Sequence, residues 1–378
     1  MPIELRGRLP GSSNMRPAYS DAVLARQAAD YGPIPKLRVP DPAWISQTAR
    51  EFEEDGLDSA LVAHRSSWPD VWAVCTWALA ATTRLRLVAA HRVGLQLPVS
   101  GARAIATLDA LSGGRVMIHA IQGNTEEDQW REGDFVDKAT RYKRAGEYFD
   151  VFKRLLTSDE PFDYSGDFYR VKGAWSSFKP VQKPYPTISG AGASVEGLAF
   201  CARHVDVYAL TAEPLESTAE LLARVRAAAA QEGRSLRFWR DCNFIVAPTD
   251  EAAWRKAEAI TAELTHAGSG QRVWEQGDKA TLQPQSVAQQ RVLAASSQGE
   301  RVGKAMYTAI SKLAAGTVAS SFVGSPETVA DAVLDYYDLG IEIFSIGIAV
   351  VTDEDREMRK ALIGCLRRGA AERDRRAR

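Results

Sequence analysis

Three groups of residues have types and spacings that can do chemistry. The first is Ser189-Gly190-Ala191-Gly192-Ala193-Ser194, a run of small residues that passes at once into the helix-like pattern VEGLAF. Glycines let the backbone approach a ligand closely, and the N–H groups at a helix start favour an anion such as phosphate. The same residues also suit an ordinary strand-to-helix turn with Ser194 as N-cap, so the stretch alone leaves both readings open. The second group is His64, His91 and His119, each at or near the end of a β-like run. Converging imidazoles can hold zinc or iron, but the other strand ends offer only Asp241 and Glu213 and no further histidine, which argues against a metal-dependent hydrolase. At least one of the three is expected only to hydrogen-bond its neighbours. The third group is Arg141-Tyr142, which opens a helix and so can direct a guanidinium and a phenol at a bound phosphate. Trp68, Trp130, Trp175 and Trp239 fall near similar loop positions, where flat side chains can line a pocket, although ordinary packing is expected for at least half of them. Ser66 and Ser67 beside His64 lack the G-x-S-x-G elbow of an acyl-transfer nucleophile.

The elements that must position these groups alternate. Eight short apolar or β-branched runs, IELRGRL, SALVAH, LRLVAAH, VMIHAI, TISG, DVYALT, CNFIVA and EIFSIGI, are separated by helical patterns. The helices are expected over Pro42–Glu54, Asp70–Ala81, Ser100–Leu111, Arg141–Leu156, Val195–Arg203, Pro214–Gln231, Asp250–Leu264 and Pro326–Leu339. Eight alternations predict an α/β fold, a single (β/α)8 TIM barrel over 1–378, whose functional groups gather at the C-terminal ends of the strands. Two segments exceed the minimal barrel: residues 11–39, rich in Pro, Ser and Arg, and residues 266–315, rich in Gln, Gly and Ser and expected to cover the mouth as a lid. Residues 366–378 read as a charged, solvated tail.

With 45% hydrophobic and 25% charged residues, the 378-residue chain can bury a full core. Its formal net charge of -1 provides no general field for nucleic acid or an anionic membrane, and charged residues interrupt every apolar run before it is long enough to span a bilayer. The four scattered cysteines and the absence of an apolar signal region in MPIELRGRLPGSS predict a reduced, cytoplasmic protein.

In order along the chain, ATLDALSGGRVMIHAIQG, RYKRAGEYFDVFKRLL, FDYSGDFYRVKGAW, KPVQKPYPTISGAGAS and HVDVYALTAEP resemble the bacterial luciferase-like flavin monooxygenases, especially the alkanesulfonate and pyrimidine-ring-opening members. The resemblance runs from about Asp41 to Gly347. It implies a TIM barrel that takes reduced FMN from a separate NAD(P)H-dependent flavin reductase and activates O2 at the isoalloxazine ring to oxygenate a small organic substrate, in a homodimer or homotetramer. Carried over, Ser194 with the backbone of Gly192 and Ala193, and Tyr142 with Arg141, match the family's phosphate contacts. His64 and Arg65 match residues at the ring edge, His119 stands where the pyrimidine enzyme has an asparagine near the flavin, and Asp128 falls near a flavin-contacting glutamate. His119 and His64 are the candidates for proton transfer, because an unperturbed imidazole titrates near working pH.

The departures concern the substrate. The cysteine of the alkanesulfonate enzymes after strand two gives way to SSWPD, and their strand-seven arginine and histidine become Asp241 and Asn243, which share one face. Their strand-eight tyrosine and histidine become Ala349 and Val351, and their lid arginine aligns with Ala315. Asp241 is expected to repel a sulfonate and to suit a cationic, amine or amide group, with Arg240 or Lys312 as candidate compensating cations. Organosulfur and nitrogen-containing substrates both remain open. Two alternatives share the fold: coenzyme F420-dependent hydride transfer, and a flavin-binding barrel without catalysis.

Overall fold

The computed structural model describes residues 2–11, 39–123, 126–270, 286–313, 320–348, 350 and 352–376. Eight parallel strands close into a barrel: β1 (Glu4–Arg8), β2 (Ser59–Val62), β3 (Arg86–Arg92), β4 (Val116–Ile121), β7 (Ile188–Gly190), β8 (Val207–Leu210), β9 (Arg237–Arg240) and β14 (Ile343–Ser345). The ring order is β1, β14, β9, β8, β7, β4, β3, β2, so β14 returns to pair with β1. An antiparallel hairpin, β5 (Phe162–Ser165) and β6 (Arg170–Ala174), stands apart from the barrel.

The helices follow the strands as the periodicity predicts. In chain order they include α1 (Pro42–Glu54), α2 (Val71–Ala81), α3 (Pro98–Ser112), α4 (Glu126–Arg131), α5 (Lys138–Thr157), α6 (Val195–His204) and α7 (Leu215–Gln231). Side-chain caps at Asp41, Asp70, Asp137 and Ser194 start four of them. Gly7 lets α1 press onto β1, since a Cβ there would lie 2.7 Å from the Phe52 ring.

Strand alternation sends Glu4, Arg6 and Arg8 inward from β1 and leaves Leu5 to the helix layer. Glu4 Oε1 accepts from Arg6 Nη2 at 2.9 Å and from Ser59 Oγ at 2.8 Å, and Arg86 Nη2 lies 3.1 Å from Oε2. Burial pushes the Glu4 carboxyl up, but Arg6, Arg86 and Ser59 outweigh it and bring it to about 2. Polar pairs therefore fill the N-terminal end of the barrel. The Arg6 guanidinium then stacks on Trp239, 4.3 Å from the ring centroid.

Strand seven differs from the expected one. The barrel uses Arg237–Arg240, whereas Asn243–Val246 (β10), from the CNFIVA run, belongs to a second sheet with β11 (Arg301–Val302), β12 (Met306–Tyr307), β13 (Ser321–Gly324) and β15 (Gly347–Ile348). RFWR lacks an apolar alternation because Arg237 meets the carboxylates of Glu342 and Glu4, at 2.7 and 3.7 Å, while Trp239 packs with Val207 and Ile343. EIFSIGI likewise divides between β14 in the barrel and β15 in the second sheet. The helix after β10, α8, runs from Asp250 to Gly270, and α11 (Pro326–Asp338) follows β13.

Of the two extra segments, residues 12–38 lie outside the described residues, as do 271–285 and 314–319 with Ala315. Ala349 and Val351 also lie outside them. The described part of 266–315 is well anchored. Helix α9 (Val287–Ser296) begins with a capping box at Ser286, and Arg291 forms a two-nitrogen bridge to the buried Glu213, with Nη2–Oε2 at 2.5 Å. Tyr307 and Ile310, the latter in the short helix α10 (Ala309–Leu313), pack with Ile245 and Val323.

Residues 366–376 are not a solvated tail but the end of a 24-residue helix, α12 (Asp353–Arg376), in which Leu362, Leu366 and Ala370 are buried. Their spacing of four residues forms one apolar stripe beneath the charges. Arg367 donates to Asp58 at 3.0 Å, and Gly369 admits Leu334 of α11, whose Cδ1 lies 2.3 Å from where a Cβ would stand.

Candidate active site

The small-residue stretch forms the turn between β7 and α6. Ser194 caps the helix, its Oγ accepting from Gly197 N–H at 3.2 Å, so the N-cap reading holds. The glycine is needed for more than a cap. Gly192 has φ +153°, and a Cβ on it would lie 2.8 Å from Gly197 Cα and 2.7 Å from the Tyr142 hydroxyl. Tyr208 pins the turn by donating to Gly192 C=O at 3.0 Å. Helix α5 opens at Lys138, capped by Asp137, and not at Arg141; Tyr142, at the start of its second turn, thus brings its hydroxyl against the start of α6. No hydrogen bond reaches that hydroxyl from the described residues, and burial pushes its pKa up, which keeps it a donor. Arg141 takes a different direction: its Nη1 donates to Val136 C=O, while its buried Nε has no partner among the described residues. Lys138, which sequence reading passed over, lies within electrostatic range of Arg141 and Glu196 at the same corner. Two helix starts with a lysine, an arginine and a free phenol donor can hold a phosphate.

Inside the barrel, His119 Nδ1 lies 3.0 Å from Ser189 Oγ, and Ser189 Oγ donates to Ile118 C=O at 3.0 Å. A hydroxyl has one proton, and Ile118 takes it, so Nδ1–H must be the donor and Nε2 carries the lone pair. The ring meets Trp239 edge-on at 5.1 Å. Burial, reinforced by Arg6 and opposed by Asp241, brings the imidazole down to about 4. This corrects the expectation that His119 titrates near working pH: it is a neutral acceptor there. Protonation is disfavoured in the fold, so His119 contributes stability above its ordinary value of 6.5, and this is lost as pH falls from there through about 4. Nitrogen-15 spectra of the protein should show His119 as the neutral Nδ1–H form throughout the neutral range. A titration midpoint near that of free histidine would contradict the assignment.

His91 faces the other way, toward the helices. Its Nε2 is 2.7 Å from Tyr148 Oη, Trp72 packs edge-on against it, and burial brings it down to about 3. It is the histidine that only bonds its neighbours. His64, after β2, pairs with Glu132 at 2.7 Å, Glu132 lies 3.7 Å from Arg92, and Arg92 and Arg144 both bond Asp134, at 2.7 and 2.6 Å. Burial alone would raise the Asp134 carboxyl, but those two arginines bring it to about 2. Among the described residues no group of three or more His, Cys, Asp or Glu is placed to hold a metal ion.

Asp128 is buried and accepts from Ser66 N–H at 3.2 Å and Ser66 Oγ at 2.6 Å, so it ties α4 to the loop after β2. In the same loop Arg65 C=O accepts from Trp68 N–H at 3.1 Å, which places Arg65 and Trp68 near His64. The remaining tryptophans separate. Trp239 is 2% exposed and forms the packed floor between Arg6 and His119 rather than an open wall. Trp130, on α4, is exposed. Trp175 donates to Asp159 C=O just past the C-terminus of α5, the end of that helix opposite the mouth, and so cannot line a pocket there.

Asp241 does not wait for a cationic ligand. Arg8 Nη2 bonds its Oδ1 at 2.5 Å, while Arg8 Nη1 donates to Asn243 Oδ1 at 2.8 Å. A Cβ on Gly347 would stand 3.2 Å from Arg8 Nη1 and 2.9 Å from Asn243 Oδ1, so the missing side chain makes room for this contact. Neither expected cation compensates Asp241. Arg240 is fully buried and points away, its Nη2 donating to Glu213 C=O at 2.7 Å over the Tyr336 ring, and Lys312 is exposed. The alternation E-x-R-x-R in IELRGRL was the available signal for Arg8.

Residues 22–342 match the family described as luciferase-like monooxygenase. Among solved structures, the chain is similar to the riboflavin lyase RcaE, solved with modified FMN and substrate riboflavin, at 20% identity and a TM-score of 0.75, over 98% of this chain and 92% of that one. DmoA from Hyphomicrobium sulfonivorans is 19% identical with a TM-score of 0.73, over 98% and 89% of the two chains. The coenzyme F420-dependent tetrahydromethanopterin reductase from Methanopyrus kandleri is 17% identical with a TM-score of 0.64, over 96% and 97%. At these identities the likeness is one of fold.

Proposed function

The chain belongs to the luciferase-like monooxygenase family, and on that premise we propose that it is the oxygenating component of a two-component system. It would take reduced FMN from an NAD(P)H-dependent flavin reductase and use O2 to oxygenate a small organic substrate. The observation that carries this reading is the corner at Gly192, where a phenol donor without a hydrogen-bond partner among the described residues meets a capped helix start. Ser194, Tyr142 and the amides of Gly192 and Ala193 would hold the phosphate, with Lys138 and Arg141 supplying positive charge. Reduced flavin, when bound, supplies the electrons that activate O2. His119 would offer a neutral acceptor at Nε2 above the Trp239 floor, and His64, set by Glu132, would stand at the rim with Arg65 and Trp68. The segment 266–315, strapped by Arg291 to Glu213, would help exclude water from the mouth. A homodimer or homotetramer and a cytoplasmic location belong to the same reading. Among the described residues no helix is long and apolar enough to cross a membrane.

Coenzyme F420-dependent hydride transfer is the second reading, favoured by the likeness to the Methanopyrus reductase over nearly both full chains. Anaerobic titration separates the two. Reduced FMN should bind at least about tenfold tighter than reduced riboflavin, equivalent to about 1.4 kcal/mol, and tighter than F420. A pulse of O2 should then oxidise the bound flavin. Ser194→Ala with Tyr142→Phe should remove most of the preference for the phosphate. Equal affinity for riboflavin would count against the cradle, and tighter binding of F420 would favour the second reading.

A further inference from the structure

Tyr148 of α5 and His91 of β3 meet on the helix side of the barrel wall, one residue before the end of β3 that faces the mouth. Their contact, Oη to Nε2 at 2.7 Å, is the only hydrogen bond of the Tyr148 hydroxyl among the described residues. A buried hydroxyl donates to the acceptor it has, so the phenol is the donor and Nε2 holds the lone pair. Burial, with His64 and Arg92 adding to it, brings the imidazole down to about 3, and burial pushes the phenol up. Both partners are therefore neutral, and the proton stays on Tyr148 as long as the ring keeps its electrons.

Removal of one electron reverses that preference. An oxidised phenol is a strong acid, and a dry wall gives its proton no water to go to. Nε2 can take the proton across 2.7 Å, which leaves a neutral phenoxyl and an imidazolium. Two other buried tyrosines lack such a base: Tyr208 donates to Gly192 C=O and Tyr336 to Glu213 C=O, and a carbonyl cannot keep a proton. Aromatic rings extend from the pair in two directions. Trp72 lies 5.5 Å from His91 and Tyr169 lies 5.9 Å from Tyr148, centroid to centroid, and both are half-buried, so an electron vacancy can pass from the wall toward the surface.

On the reading of the mouth as a site of O2 chemistry, we propose that Tyr148 and His91 form a proton-coupled redox couple that carries one-electron oxidising equivalents away from the mouth to the surface at Tyr169. The oxidant is an oxygen-centred radical of the hydroxyl class, released when O2 is only partly reduced. It gains the electron and becomes hydroxide, while Tyr148 becomes the phenoxyl and passes its proton to His91 Nε2. A thiolate in solution then returns one electron through Tyr169, becoming a thiyl radical, and the proton goes back to Tyr148.

Flash photolysis of the full chain without flavin, using tris(bipyridine)ruthenium(II) as sensitiser and persulfate as electron acceptor, tests this when followed by electron paramagnetic resonance. The wild type should give a long-lived tyrosyl signal that forms more slowly in D2O, because proton and electron leave together. Tyr148→Phe should lose most of that signal, and Tyr336→Phe should keep it. His91→Gln retains an acceptor oxygen but not a base, and should lose the signal as Tyr148→Phe does; thermal unfolding shows whether the variants are folded. An unchanged signal in folded Tyr148→Phe or His91→Gln would overturn the proposal, and so would a wild-type signal without the isotope effect, whatever the variants do. A chain that forms this radical but does not bind reduced FMN keeps the couple and removes the reading of the mouth as its source of oxidant.

Discussion

Gly192→Ala should weaken binding of reduced FMN by about two orders of magnitude while leaving riboflavin affinity nearly unchanged. The added methyl would lie 2.7 Å from the Tyr142 hydroxyl and 2.8 Å from Gly197 Cα, and the backbone at φ +153° disfavours any side chain. Backbone cannot yield as a flexible side chain can, so the turn must swing away from the start of α6. The phosphate would then lose the phenol and at least one amide, charge-assisted bonds of about 1.5–3 kcal/mol each. Two such losses correspond to a hundredfold or more in affinity. Fluorescence titration with both flavins checks this. Parallel losses for FMN and riboflavin would mean that the substitution disturbs the whole mouth, and no loss for FMN would place the phosphate elsewhere.

Asp55→Ala should be the most damaging change to stability away from the mouth. Asp55 caps the end of α1, its side chain is fully buried, and it accepts from Arg356 Nη2 at 2.8 Å and from Arg359 Nε at 3.0 Å. Removing the carboxylate strands Arg359, itself 4% exposed, and partly strands Arg356. Breaking a buried ion pair from one side costs about 3–5 kcal/mol. Ending the chain at Cys365 should be as harmful, since it deletes the buried Leu366 and Ala370 and the Arg367 bridge to Asp58. Denaturant unfolding followed by circular dichroism measures both. A truncated chain as stable as the full one would show that the end of α12 is dispensable.

Local order was legible in the sequence. A capped turn such as Ala191–Ser194, the 3.6-residue period of the helices and the period-two row Glu4, Arg6, Arg8 are properties of a few contiguous residues, set by sterics and by which face must meet water. The eight strand-and-helix alternations predicted the barrel, and with it the end at which His64, His119 and Gly192 gather.

Tertiary structure decided what each charge is for. Asp241 meets Arg8 across 233 positions of chain, and Asp55 meets Arg359 across 304. A carboxylate awaiting a cation and one already satisfied have the same local sequence, because ion pairing depends on distance in space and on burial. The same holds for His91 and His119, whose proton affinities both fall because the barrel buries them, one against Tyr148 and the other over Trp239. It holds also for CNFIVA, whose apolar run suited any buried strand until pairing with Ser321–Gly324 drew it out of the barrel. Sequence specified which elements form and where their reactive residues stand along them. Only closure of the barrel brought together residues hundreds of positions apart, and that proximity determined which groups are neutral, which are charged and which remain open to a ligand.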